Sequence, residues 1–250
     1  MNTPNRIVIV GATSAIAEQC ARLWATRTPR ELVLVGRNLE KLEPIAADLK
    51  VRSPASSIRC LTVDFLDPTA IAALVQQLDA DGGIDIALVA HGMLPDQPAM
   101  QQDLVANAQS LQVNALSPVL FAEAFAGVMQ PRGRGHIALI GSVAGDRGRK
   151  SNYVYGAAKG LVERYAQGLQ HRLAATDVKV LLVKPGPTDT PMTVHLKQDG
   201  ARLASSEQVA ADIVKAVDAG KAVLYTPGRW AFIMFVIRNL PGTVFNRIDI

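Results

Sequence analysis

Short apolar runs rich in Val, Ile and Leu alternate with longer stretches of helical character along most of this chain, and that alternation narrows the folds open to it. Residues 6–10 read as a buried strand, and the Gly11-Ala-Thr-Ser-Ala-Ile-Ala17 turn leads into a helix that runs to about residue 25. Further strands are predicted at 32–35, 58–63, 85–90, 136–140, 178–183 and 222–225. Helices are predicted between them. Asn38 caps one that runs towards Lys50, and Asp67-Pro68 opens another as an N-cap followed by Pro. A long tract over 101–129 is expected to break near Ser117-Pro118, with 131–135 as a turn. A helix carrying Tyr155 runs to about 175, and another spans 205–219, where Ser205 and Gln208 have capping-box spacing. Strands alternating with helices give right-handed βαβ units and a doubly wound parallel sheet. Ligands bind such sheets at the carboxyl ends of the strands, so the loops after the first, second, fourth, fifth and sixth strands should converge.

Those loops carry the residues with chemistry. Gly11, Thr13, Ser14, Ala15 and Ile16 follow a strand and open a helix, where backbone N–H groups receive a pyrophosphate. Arg37 follows the second strand, where an acidic residue favours NAD and an Arg suits a 2′-phosphate, so NADP is expected ahead of NAD. Asp64 closes the third strand, facing an adenine edge or capping its own loop. Asn114 lies mid-helix, where a buried amide needs partners. Ser142 ends the fifth strand with a hydroxyl able to bond a substrate oxygen. Tyr155 and Lys159 are four apart on one helix face, where an ammonium favours the phenolate and lowers the phenol pKa. His91 reads as a loop or satisfied histidine rather than a catalyst.

Composition excludes several classes. The 250 residues are 49% hydrophobic and 19% charged, which suits one well-packed domain. The net charge of +4 is scattered and aromatics are 5%, so no nucleic-acid partner is expected. Arg132, Arg134, Arg147, Arg149 and Lys150 do cluster, as soluble loop residues or as phosphate-attracting ones near a site. Cys20 and Cys60 have no metal-like spacing, so no metal is expected and free buried thiols in a reducing compartment are. No signal-peptide pattern precedes the first strand, and no run of about 18 apolar residues is present. A cytoplasmic location is the expectation.

Taken in order, the Gly11 turn, Asp64, Asn114, Ser142, Tyr155-x-x-x-Lys159 and Pro185-Gly186-Pro187-Thr188 resemble the short-chain dehydrogenase/reductase family over residues 6 to 226. The resemblance implies an α/β, single-domain Rossmann-type doubly wound parallel sheet of about seven strands flanked by helices. It also implies a hydride transfer between NAD(P) and a ketone or secondary alcohol. Tyr155 would exchange the proton, and Lys159 would lower the Tyr155 pKa and hold the nicotinamide ribose. Ser142 would polarise the carbonyl, and Asn114 would keep a water that links Lys159 to solvent. By the same resemblance Ala90, Gly92, Pro185, Gly186 and Thr188 line the cofactor site. A substrate lid falls near 191–222, chiefly 191–205, and the subunits pair as a homodimer or homotetramer. Two departures stand out. The family's second and third glycines are Ala15 and Ala17, and its Asn-Asn-Ala-Gly after the fourth strand is Val89-Ala90-His91-Gly92.

The segment 227–250 stands apart from the catalytic domain, 1–226. Its apolar run, 230–237, lies between Arg229 and Arg238 and is too short to span a bilayer. Two readings stay open: peripheral membrane contact through 228–250 on the inner face of the membrane, or a helix covering the core or a subunit interface. The tail and the Gly11 turn together resemble a bacterial branch of the family that includes the keto-reductase completing epimerisation of decaprenylphosphoryl ribose. That implies a small-molecule or lipid-linked carbonyl substrate, with a keto sugar favoured. The alternatives are a soluble ketone or 3-oxoacyl reductase, and a non-catalytic dinucleotide-binding regulator.

Overall fold

The structure, a computed structural model, describes residues 6–27, 30–194 and 202–248. Seven strands form one parallel sheet: β1 (Arg6–Val10), β2 (Glu31–Gly36), β3 (Ser57–Thr62), β4 (Ile86–Val89), β5 (Arg134–Ile140), β6 (Asp177–Pro185) and β9 (Val223–Thr226). Their spatial order is β3-β2-β1-β4-β5-β6-β9. β1 pairs on one side with β2 and on the other with β4, so the chain reverses its direction of winding there, and a crevice opens at the carboxyl ends.

The all-apolar β1 follows from its place at the centre. Ile7 and Ile9 face a core shared with α1 (Ala15–Arg27), α2 (Leu39–Arg52) and α8 (Ser206–Asp218). Val8 and Val10 face the other core, shared with α3 (Pro68–Ala80), α6 (Ser117–Arg132) and α7 (Tyr153–Arg172). A strand covered on both faces has no polar position to alternate with. Predicted caps are present: Asn38 accepts from the Lys41 N–H at 3.2 Å, and Asp67 accepts from Thr69 and Ala70 at 2.8 and 3.2 Å. Ser205 accepts from Gln208 at 3.1 Å, while the Gln208 amide donates to Asp212 at 3.0 Å.

The long helical tract differs from expectation. It divides at Asp103, whose extended backbone separates α4 (Gln97–Gln102) from α5 (Leu104–Leu111) and whose carboxylate caps α5. From Leu104 to Arg132 the helix is continuous. At Ser117-Pro118 it widens instead of breaking. Residues Gln112–Leu116 form a π turn, and the Ser117 N–H reaches back to Gln112. Pro118 has no N–H to donate, and the wider turn absorbs the loss. By length and composition this helix could cross a membrane, but half of its most apolar window is buried in the protein, where it covers the sheet. The expected turn at 131–135 is shorter, because α6 continues to Arg132.

The predicted lid also narrows. Its base is a small parallel pair, β7 (Thr188–Asp189) with β8 (Ala204–Ser205), and residues 195–201 lie outside the described residues. Residues 206–218 are α8, which buries Val209, Ile213, Val214 and Val217 and belongs to the core. Beyond β9, the tail forms α9 (Arg229–Asn239) and the short α10 (Gly242–Phe245).

Candidate active site

A cavity of about 520 Å³ lies across the carboxyl ends of the strands. Its walls include Gly11, Thr13, Ser14, Ala15, Ile16, Arg37, Ala90, Gly92, Ser142, Tyr155, Lys159, Pro185, Gly186 and Thr188. Nearly every site residue expected from the sequence is therefore brought to one surface. Two are not on it. Asp64 is exposed, and its carboxylate accepts from the Leu66 N–H at 2.8 Å, so it shapes the loop that presents Phe65 and Leu66 to the cavity. Asn114 sits behind the wall, fully buried in the π turn.

At one end the chain is built to receive a dinucleotide. Gly11 has φ +77°, and a Cβ there would lie 2.6 Å from the His91 backbone nitrogen. Only glycine allows the first and fourth strand ends to approach this closely. Ala15 and Ala17 are in the helix with negative φ, so the two methyls that replace the family's glycines are conformationally free of strain. The start of α1 offers N–H groups to a pyrophosphate. Arg37 extends over Phe65, with 5.9 Å from Cζ to the ring centroid, and marks the far end of this half.

The candidate catalytic half is anchored on a buried lysine. Lys159 is 3% exposed, and its Nζ donates to the Ile140 carbonyl at 2.8 Å. Burial lowers its pKa to about 8. Burial raises the Tyr155 phenol to about 12, against the opposing pull of a hydrogen bond with Ser142. The expectation that Lys159 draws the phenol towards neutrality is corrected here. The ammonium is 5.7 Å from the ring centroid and engaged elsewhere, and desolvation of the phenolate outweighs it. Tyr155 is firmly a phenol, the form needed to protonate a carbonyl oxygen. Ser142 also accepts from the Ala144 N–H at 3.1 Å, which fixes its hydroxyl.

The altered loop after β4 has a definite geometry. Asn114 Oδ1 accepts from the Met93 N–H at 2.8 Å, and Nδ2 donates to Ser110 Oγ at 3.2 Å. The buried amide thus pins the loop from behind. His91, which stands at the family's Ala, is a packing residue. Its Nε2 is 2.8 Å from Ser117 Oγ, and its ring lies 4.6 Å from Phe65 and 5.6 Å from Phe121. Burial, with Lys159 and Arg37 nearby, lowers its pKa to about 3, so it stays neutral.

Sequence reasoning overlooked several wall residues, Phe65, Asn152 and Trp230 among them. Phe65 carries no local signal. Asn152 stands at the start of α7, and its side chain makes no cap hydrogen bond. Trp230 comes from the tail and packs on Gly186, where no Cβ would fit beneath the indole. The basic cluster separates by role. Arg132 pairs with Asp79 at 3.1 Å, Arg147 donates to the Ile237 and Leu240 carbonyls at 2.6 Å each, and Arg149 lines the cavity. Among the described residues no cluster of side chains is fit to hold a metal.

Comparison with known proteins adds four observations. The sequence pattern described as short chain dehydrogenase matches residues 5–201. An uncharacterized oxidoreductase of Streptomyces coelicolor is 31% identical over 249 residues, 98% of this chain and 96% of that protein. One from Mycobacterium tuberculosis is 34% identical over 245 residues, 97% of this chain and 96% of that one. Among solved structures, a short-chain dehydrogenase from Sphingobium yanoikuyae in complex with NADPH superposes with a TM-score of 0.82 at 25% identity, covering 98% of this chain and 96% of that one.

Proposed function

Because the chain belongs to the short-chain dehydrogenase/reductase family and is an NAD(P)-dependent oxidoreductase, we propose that it reduces a ketone with NADPH, and that the ketone is a keto sugar carried on a polyprenyl phosphate. The observation that carries the reaction is the constellation of Ser142, Tyr155 and the buried Lys159 at one end of the dinucleotide cavity. The bound dinucleotide supplies the hydride. Ser142 orients the carbonyl, and the protonated Tyr155 delivers its proton to the oxygen. Lys159, held by Ile140, sets the charge beside the phenol, and Asn114 holds the Met93 loop behind it. Trp230 and Thr188, at the base of the β7–β8 pair, line one wall.

NADPH is preferred over NADH in this reading because Arg37 stands where a 2′-phosphate arrives, at the end of β2. Arg37→Asp is expected to weaken NADPH by about 10- to 100-fold, the worth of a charge-assisted pair, while NADH is held as well or better. Equal loss of both cofactors in a titration of the variant would place the 2′-phosphate elsewhere.

The lipid-linked carrier rests on α9. Its inner stripe, Trp230 and Met234 among it, covers the body, with Met234 at 0% exposure. Its outer stripe leaves Phe232 and Phe235 at 72% and 66% exposure, with Arg229 and Arg238 at either end. Aromatics flanked by Arg suit the interface of an anionic membrane, which would place the protein peripherally on the inner face. The same helix that walls the cavity would then rest on the surface that carries the substrate. Phe232→Ser with Phe235→Ser is expected to weaken cosedimentation with anionic vesicles by about 10-fold or more, since two buried aromatics are lost. A variant that binds vesicles unchanged but falls from dimer to monomer assigns this face to a second subunit. The substrate test is NADPH oxidation with soluble ketones, 3-oxoacyl thioesters and a polyprenyl-phosphate keto sugar. Turnover confined to soluble ketones removes the lipid-linked reading and keeps the chemistry.

A further inference from the structure

Most of the basic groups around the catalytic end of the cavity are engaged. Lys159 holds Ile140, Arg147 caps the end of α9, and Lys184 is ion-paired with Asp146 and, at 2.9 Å, with Glu163. Arg149 differs. It lines the cavity, its Nε is buried, and that nitrogen has no hydrogen-bond partner among the described residues. The carboxylate in its neighbourhood, Asp146, is already taken by Lys184 and by the Tyr225 hydroxyl at 2.9 Å. Asn152 repeats the pattern. Its Oδ1 is buried, unpartnered and on the same wall, although the residue sits where a helix cap belongs. Buried polar groups are satisfied in folded proteins with few exceptions, and the exceptions at a cavity wall are positions where a ligand completes the bonding.

We propose that Arg149 and Asn152 form a substrate subsite that takes an oxyanion on the guanidinium and a hydroxyl on the amide oxygen, so that the enzyme selects hydroxylated ketones bearing a phosphate ester or phosphodiester. The proposal rests on the ketone-reductase reading but not on a lipid carrier. The dinucleotide's own phosphates do not explain these groups. The pyrophosphate belongs at Gly11 and the start of α1, whereas Arg149 and Asn152 come from the segment that joins Ser142 to Tyr155, at the reacting end. A guanidinium also binds phosphate oxygens in pairs, which fixes orientation as well as affinity. The N-terminal end of α7 adds positive potential on the same side.

The test measures binding to the NADP⁺-loaded protein by calorimetry, a form with no hydride to give to the ketone. Ribulose and ribulose 5-phosphate are compared, with a polyprenyl-phosphate keto sugar as the lipid-borne form of the same chemistry. Wild type is expected to bind at least one phosphorylated sugar about 10-fold or more tightly than ribulose, and which one does so identifies the source. Arg149→Gln is expected to abolish that ratio, and Arg149→Lys to keep part of it through charge alone. NADPH affinity and the melting temperature report whether each variant is folded. Equal binding of charged and uncharged sugars by wild type, or an intact ratio in Arg149→Gln, overturns the subsite. Neither result depends on turnover. Failure of the reductase reading would show separately, as no NADPH consumption with any ketone.

Discussion

Tyr155→Phe is expected to lower kcat for ketone reduction by about 10²- to 10⁴-fold, the usual worth of a positioned general acid. The effect should fall on kcat more than on NADPH affinity. The ring remains in place, with its burial and its packing, and only the hydroxyl is lost. That hydroxyl is a phenol at neutral pH, because burial raises its pKa to about 12. A neighbouring tyrosine offers no rescue. Tyr153 is 44% exposed on the opposite side of the helix start, and the residue four positions beyond it is Ala157. The check is single-turnover NADPH oxidation alongside equilibrium NADPH binding. A loss below about 10-fold in kcat, with binding intact, would move the acid elsewhere. His91 is no substitute, since it is held neutral among Phe65 and Phe121. A non-catalytic regulator would show the same NADPH binding with no turnover in either protein.

The architecture was legible because its signals are local. Buried strands of a parallel sheet are continuous apolar runs, and Asn38 and Asp67 announce helix starts through side-chain geometry. The candidate catalytic residues were legible because their spacing is itself local: Tyr155 and Lys159 share one helix, and Ser142 follows the strand before it. What escaped the sequence depended on long-range packing. Asn114 reads as a misplaced amide until the π turn aims it at Met93, across the cavity wall. Trp230 is one of many apolar residues in the tail until the tail folds back and lays it on Gly186. Arg147 and Arg149 are indistinguishable in sequence, yet one caps a helix and the other faces the cavity. The direction of the Tyr155 shift is not legible from spacing either. Spacing gives the proximity of Lys159, but burial of both groups sets the sign.

Lys159→Met is expected to destroy catalysis and stabilise the cofactor-free fold, a pairing that a merely structural lysine would not produce. The buried ammonium donates to one carbonyl, that of Ile140, and burial lowers its pKa from the ordinary lysine value of 10.5 to about 8. The sign follows from linkage. Between about pH 8 and 10.5 the unfolded chain keeps a proton that the folded one has released, so stability rises with pH through that window. Below about 8 both states are charged and the penalty of burying the charge is fully present. A methionine of similar length removes the penalty and gives up the bond to Ile140, leaving a net gain on the order of 1 kcal/mol at neutral pH. For a chain of this size that is about 2–4 °C in Tm. Catalysis moves the other way. The charge near the phenol is lost, and with it the donor that the family resemblance assigns to the nicotinamide ribose, so kcat/KM should fall by about 10²-fold or more. In wild type the same group sets the alkaline limb. kcat/KM reports the free enzyme, so ketone reduction should decline about tenfold per pH unit above about 8. Thermal melts of both proteins from pH 6 to 10.5 check the stability half, and the gap between them should close as the pH rises. A variant that melts lower than wild type at pH 7 would mean that the Lys159 charge is paired in the folded protein, and the fold would then gain from the group that its chemistry requires.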